Sequence, residues 1–373
     1  MGMKCVRCGT DNNLKDRTDN GGRCKNCNHP FVFDTSAVID SRLKFTDAFF
    51  AKAIEDISAN NTLYFTPVQL FYLLDRRLSR KIPEGWNGLQ SLGCLAFVLA
   101  PLCLVITNSP IYMALLPIGI IIFMYGSYKP PTGKGNSPNN FFITQYQFQY
   151  WLNRWQEINN PVGKMLPAPR EERLPAEVST ELTAYSFDRA VICDSAVIAQ
   201  LLIANNFHFE NNCAVLSVTG YPQSIFSTVL EMLTRNPDLK VYALHDASPR
   251  GVTLTHHLRT SPNWFQNRNL IIYDLGLLPR QIFASRNMFV RAAEESAREA
   301  QEMPVEVRQS LSAAELEWLE AGNFVELESF TPQKLIQVLN QGIAQSQSAN
   351  AGDSLVVIDG GDGGYLYAAD SFG

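Results

Sequence analysis

Four apolar runs in the second half of the chain alternate with segments of helical spacing. "RAVICD" (189–194) is a short run ending on an acid, and "SAVIAQLLIANN" after it repeats its apolar residues at helical intervals, with Ser195 placed as the cap. "CAVLSVTG" predicts a second strand and "PQSIFSTVLEMLTRN" a second helix with Pro222 near its start. "KVYALHD" and "NLIIYDLGLL" (269–278) complete a set of four strands. Strands that alternate with helices predict a mostly parallel sheet with helices on its faces. Ligands of such sheets bind beyond the carboxyl ends of the strands. Asp194, Gly220 and Asp246 each end a predicted strand, so the pattern draws them toward one edge.

A different pattern fills 85–128. From Gly85 through Tyr128 there is no Asp, Glu, Lys, Arg or His, and "TNSP" divides the run into two stretches. Each is near the roughly 20 residues that span a bilayer. Trp86, Tyr125 and Tyr128 stand where interfacial aromatics belong, with "RRLSRK" before the run and Lys129 and Lys134 after it. The expectation is a two-helix transmembrane hairpin with both ends in the cytoplasm and the lipid bilayer as a partner. The alternative is a buried core hairpin. Upstream, "TLYFTPVQLFYLLDRRLSRK" (62–81) has a helix-turn-helix character, with Thr66-Pro67 at a helix start. Downstream, "KPPTGKGNSPNN" reads as a linker and "FFITQYQFQYWLNRWQEIN" as an amphipathic helix, packed in a domain rather than laid on the bilayer. "LPAPREERLPAEVS" is a second linker.

Composition adds limits. The formal charge of −5 over 373 residues carries no global basic signature, so it does not argue for nucleic acid. The acidic excess lies after residue 290, and no apolar h-region opens the chain. Eight cysteines do not form a secreted disulfide framework, which implies a reducing compartment. Cys5, Cys8, Cys24 and Cys27 form two CxxC turns with the spacing of a four-thiolate zinc ribbon. So short and polar a segment builds no core, and Zn²⁺ would supply its folding energy. His29 is a bystander to that set. Cys193 reads as a core cysteine, His245 as a buried strand histidine, and His256-His257 as an unsuitable ligand pair.

The stretch from about 185 to 345 resembles the Toprim domain of the type IIB topoisomerase A subunit and the related meiotic double-strand-break transesterase. The likeness rests on "VICDSAVIAQLLIANNF", "SVTGYP" and "LHDASPRG" in that order, with a weaker match over 316–343. It implies a Mg²⁺ site formed by Asp194, Asp246 and Ser248, with Gly220, Tyr221 and Arg250 facing a nucleic acid or other partner. Asp194 is one methylene shorter than the family's Glu, and Ser248 replaces a second Asp. Either change weakens a site built on hard oxygen ligands. The family's nucleophile lies on an N-terminal helix, and "TPVQLFY" makes Tyr72 the candidate, against a packed aromatic on an amphipathic helix.

The expected organisation is multi-domain. It comprises a zinc ribbon (1–32), a helical segment (36–84), a transmembrane hairpin (85–128), a linker with an amphipathic helix (129–180), a Toprim-like α/β domain (185–285), and a helical extension with a Gly-rich tail (286–373). The leading functional expectation is a membrane-anchored binding protein with a degenerate Toprim-like domain. Its rivals are a Mg²⁺-dependent nuclease or DNA transesterase and a structural scaffold that forms homo-oligomers.

Overall fold

Polar capping at the first turns, and apolar faces behind them, account for most of the local structure. The computed structural model describes residues 2–33, 45–81, 138–169, 187–236, 238–285 and 288–348. The hairpin expected over 85–128, most of the linker sequence, and Asp359 and Asp362 of the tail lie outside these residues. No helix among the described residues is long and apolar enough to cross a membrane. The chain divides into two compact units, one formed by Met1–Asp75 with Asn136–Gly373 and the other by Arg76–Gly135. Of the second unit, 76–81 are described, as the end of a helix.

The ribbon opens with β1 (Met3–Lys4) paired antiparallel to β2 (Asp11–Asn12). α1 (Leu14–Asp19) follows, started by a reciprocal Asn13–Asp16 capping box. α2 (Asp47–Ile57) begins at Thr46, whose side chain accepts from the Phe49 N–H. α3 (Pro67–Lys81) starts on proline, which sacrifices no hydrogen bond at that position. Thr66 and Gln69 close its first turn, each side chain accepting the other's backbone N–H at 3.1 and 3.0 Å. α4 (Gln145–Ile158) buries Phe148, Trp151, Leu152 and Trp155. Trp151 meets the Phe45 ring at 4.9 Å and Trp155 meets Phe50 at 5.0 Å between centroids. The aromatic face of the amphipathic helix is therefore packed against protein, as its pattern predicts.

The sheet matches the four apolar runs. β3 (Arg189–Cys193) is followed by α5 (Ala196–Ala204), with Ser195 as its cap, and by the short α6 (Phe207–Glu210). β4 (Cys213–Ser217) leads to α7 (Phe226–Arg235), which starts four residues beyond Pro222. β5 (Lys240–Leu244) leads to α8 (Pro249–Val252) and α9 (Leu254–Thr260). β6 (Ile271–Asp274) precedes α10 (Pro279–Ala284). The order is β4-β3-β5-β6, and every pairing is parallel.

Both faces of the sheet are covered, as a parallel sheet requires. On one face Val191, Cys193, Tyr242 and Leu244 pack with α5 through Ile198, Leu201 and Leu202. On the other, Ala190, Ile192, Val241 and Ala243 pack with α7 and α9 through Val229, Leu233, Leu254 and Leu258. Cys193 and Cys213 are buried in these layers, and burial pushes both thiols up, that of Cys213 to about 12.

The remaining segment returns to the sheet. β7 (Arg291–Ala292) pairs antiparallel with β8 (Asn323–Phe324) around α11 (Glu294–Gln301), α12 (Val305–Ser310) and α13 (Ala313–Glu320). A single 3₁₀ turn (Leu327–Ser329) and α14 (Pro332–Ser348) complete the described fold. Val325, Leu327, Phe330, Leu335, Leu339 and Ile343 belong to the same core as α5, so this stretch is part of the α/β core and not an appendage to it.

Candidate metal centre and acidic sheet edge

The two CxxC turns of the ribbon repeat one hydrogen-bond pattern. Cys5 N–H donates to Thr10 O and Gly9 N–H to Cys5 O, at 3.0 and 2.8 Å; Cys24 N–H donates to His29 O and Asn28 N–H to Cys24 O, both at 2.9 Å. Gly9 and Asn28 hold the same place in each turn, with φ of +74° and +57°, a region that favours glycine and tolerates asparagine. The repeat aims four thiolates at one point. All four Sγ atoms lie within 4.8 Å of one another, with Cys5–Cys27 and Cys8–Cys24 each at 3.6 Å. A tetrahedral ion with Zn–S bonds of about 2.3 Å spaces its ligands by about 3.8 Å, so the four sulfurs fit zinc.

Donors also turn toward the sulfurs. The Thr10 hydroxyl, then its N–H, draws the Cys8 thiol down to about 5. Burial opposes ionisation of Cys24, but the N–H groups of Cys27 and Asn26 and the Asn12 amide outweigh it. His29 lies outside the set, its Nε2 at 3.1 Å from Asn159 Oδ1. Four thiolates on one ion would leave no open coordination position, the arrangement of a structural site.

At the sheet, the strand order reverses direction between β3 and β5, the point where open α/β sheets form their ligand crevice. Asp194 follows β3 and Asp246 follows β5, so the two acids meet there. Asp194 Oδ2 accepts the Asp246 N–H at 2.8 Å, and Asp246 Oδ1 accepts the Leu327 N–H at 2.6 Å. Burial, then the neighbouring Asp194 charge, raises the Asp246 carboxyl well above the usual range. Burial also raises Asp194, although the Asp246 N–H opposes the shift. Ser248 Oγ accepts the Gly251 N–H at 3.0 Å as the cap of α8. Arg250 is exposed in that helix. Gly220, at φ +89°, turns the chain after β4 so that the Tyr221 N–H reaches Ser217 Oγ at 3.1 Å. Tyr221 itself packs against the main core.

Thr66 at the start of α3, and Gln69 and Tyr72 within it, converge on the segment that covers Asp246. Tyr72, 2% exposed, donates its hydroxyl to Glu326 Oε2 at 2.6 Å. Thr66 Oγ1 donates to Glu328 Oε1 at 2.6 Å, and Gln69 Nε2 donates to Phe330 O at 2.9 Å. Arg291 holds the other Glu326 oxygen at 2.8 Å. Burial and the Glu326 charge push the Tyr72 hydroxyl far above its ordinary value. Thr66, Gln69 and Tyr72 thus dock a helix through their polar groups.

Beneath the edge lies an ion pair between a buried histidine and a partly exposed aspartate. His245, 0% exposed, donates from Nε2 to Asp274 Oδ1 at 3.0 Å and from Nδ1 to Asp246 O at 2.8 Å. Burial opposes its charge, but Asp274 outweighs that and lifts His245 to about 9. Gly276 and Gly251 make room for this arrangement. A Cβ on Gly276 would stand 2.2 Å from the His245 ring, and one on Gly251 would stand 2.1 Å from Asp246 O. His256 and His257 lie apart from the pair, on α9.

Glu326, Glu328, Arg291 and Asp274 carry no motif of their own. The "ELES" carboxylates lie some eighty residues after Asp246, and only the Ala247–Val325 bridge brings them over it. Among the described residues, the four cysteines are the only group of three or more His, Cys, Asp or Glu side chains close enough to share an ion. Mg²⁺ would find two carboxylates here, each already accepting a backbone N–H. No protein-family model and no curated protein sequence matches this chain.

Proposed function

We propose that this chain is a binding protein, anchored at a membrane through its 85–128 segment, whose Toprim-like α/β domain engages a partner without cleaving it. The observation that carries this reading is the commitment of the site's side chains to the fold. Asp194 and Asp246 accept backbone N–H groups, Ser248 caps α8, and the Tyr72 hydroxyl is held by Glu326. Strand cleavage requires a tyrosine free to attack and carboxylates turned to a common ion. The polar groups of the edge choose the partner class. Asp246 and Glu328 are held toward their protonated forms and Glu326 is paired with Arg291, so the edge presents acceptors rather than the cationic surface a phosphate backbone needs, and it suits a donor-rich protein segment. The zinc ribbon orders the N-terminal segment of the same unit.

Magnesium-dependent cleavage has one observation in its favour. Asp194 and Asp246 meet at the strand-order reversal, and after burial the Asp194 charge raises Asp246, a repulsion that a divalent cation would relieve. Detergent-solubilised full-length protein decides between the two. The expected result is saturable binding of a Lys/Arg-rich peptide, with no Mg²⁺- or Mn²⁺-dependent nicking of supercoiled DNA above that of Asp246→Asn. Metal-dependent nicking that Asp246→Asn abolishes would overturn the binding-only reading.

A further inference from the structure

α4 packs one face against protein and leaves the other open. Phe148, Trp151, Leu152 and Trp155 are buried, and Tyr146, Gln149, Tyr150, Asn153 and Glu157 on the opposite face are exposed. Tyr146 is 82% and Tyr150 43% exposed, one turn apart. Gln149 and Asn153 bond to each other beside them, Nε2 to Oδ1 at 2.8 Å. Before Glu157 this face carries no charged side chain. A helix face turned to water normally does. Tyrosine among uncharged polar residues is instead the composition of the headgroup level of a bilayer, where the ring meets apolar atoms and the hydroxyl meets water.

Chain connectivity joins this face to the uncharged 85–128 run at short range. Asp75 Oδ1 accepts the N–H groups of Phe142 and Ile143 at 2.7 and 2.9 Å, so the start of α4 is fixed beside α3. From Asp75 to the end of α3 at Lys81 the helix rises about 9 Å. From Lys81 the chain reaches Gly85 within about 14 Å more. The return connection carries Lys129 and Lys134, cations that an anionic headgroup layer attracts. We propose that the Tyr146–Tyr150 face of α4 rests in the lipid headgroup layer of the bilayer that holds 85–128. The inference rests on the membrane anchoring proposed above and adds a second contact, made by the folded unit itself.

Fluorine NMR on the full-length protein in nanodiscs of phosphatidylcholine and phosphatidylglycerol provides the test. The probes are Tyr146→p-trifluoromethylphenylalanine and Tyr150→p-trifluoromethylphenylalanine, which keep an aromatic ring at exposed positions and leave the packed face intact. Gadolinium chelated on a lipid headgroup is expected to broaden both signals severalfold, and a soluble gadolinium chelate to broaden them severalfold less. Signals broadened by the soluble chelate and untouched by the lipid-borne one would put the face in water and overturn the proposal. Signals shielded from both would put protein over the face, a second copy or another chain, and overturn it equally. A third probe, Phe97→p-trifluoromethylphenylalanine within the uncharged run, separates these outcomes from failure of the anchoring. If a lipid with a nitroxide on its acyl chain broadens the position 97 signal while headgroup gadolinium leaves the α4 probes unchanged, the α4 contact fails and the anchoring stands. If the protein does not enter nanodiscs, or the position 97 signal is also unchanged, both fail.

Discussion

Single carboxyl groups at the sheet edge make its stability depend on pH. Glu328 is raised from 4.5 to about 7, chiefly by burial, although the Thr66 hydroxyl opposes this. A carboxyl raised on folding holds more protons in the native state than in the unfolded chain between those two values. Its contribution is fully present below about 4.5 and is lost as pH rises through about 7. Glu328→Gln, which stays neutral, is expected to flatten the fall in melting temperature across that window. An unchanged pH profile would show that Glu328 titrates normally. The His245–Asp274 pair behaves differently, since one partner is raised and the other lowered. Its contribution is present at neutral pH and is lost as pH rises through about 9 or falls through the depressed Asp274 value. Asp274→Asn removes the counter-charge that keeps His245 protonated, and the loss of that pair is expected to cost about 1–3 kcal/mol in denaturant unfolding. It should also lower the His245 pKa by NMR.

At the scale of elements, the ribbon depends on its ion and α3 depends on its docking residues. The ribbon's segment has few buried apolar residues, among them Met3, Phe31, Val32 and Phe33, so a zinc ion on the four thiolates would carry much of its order. Cys24→Ser is expected to lower bound zinc from one per chain to a small fraction by metal analysis. Protease sensitivity should rise within residues 2–33 while the α/β domain stays resistant. Full zinc retention would contradict the four-thiolate site. For α3, the helix start at Thr66-Pro67 and the amphipathic pattern were legible in "TPVQLFYLLDRRL", whereas the reciprocal Thr66–Gln69 bonds came from the structure. The same polar positions suggested a nucleophile. Only the neighbours at Glu326, Glu328 and Phe330 identify them as docking contacts, because helix periodicity gives a face and not its partner.

For the molecule as a whole, the α/β core is closed from the far end of the described chain. α14 contributes Leu335, Leu339 and Ile343 to the layer that covers β3 and β5, and Ser346 hydrogen-bonds the Tyr242 hydroxyl at 2.7 Å. A chain ending at residue 290 is therefore expected to lose cooperative thermal unfolding and near-UV circular dichroism. A sharp, native-like transition in that shortened protein would show that residues 185–285 fold alone.

The sequence by itself determined the parallel strands, their helices, the cap at Ser195, the helix start at Thr66-Pro67, and the cluster of four thiolates. Each of these follows from local spacing or from short-range hydrogen bonds. It also placed Asp194 and Asp246 at strand ends, because alternation marks where a buried strand stops. Tertiary structure alone decided what those acids do. Asp194 takes the Asp246 N–H, and Asp246 takes the Leu327 N–H from a segment some eighty residues away, joined by the Ala247–Val325 bridge. The register of that bridge sets the Leu327 N–H on Asp246 and brings Glu326 and Glu328 beside it, contacts that no local spacing could specify.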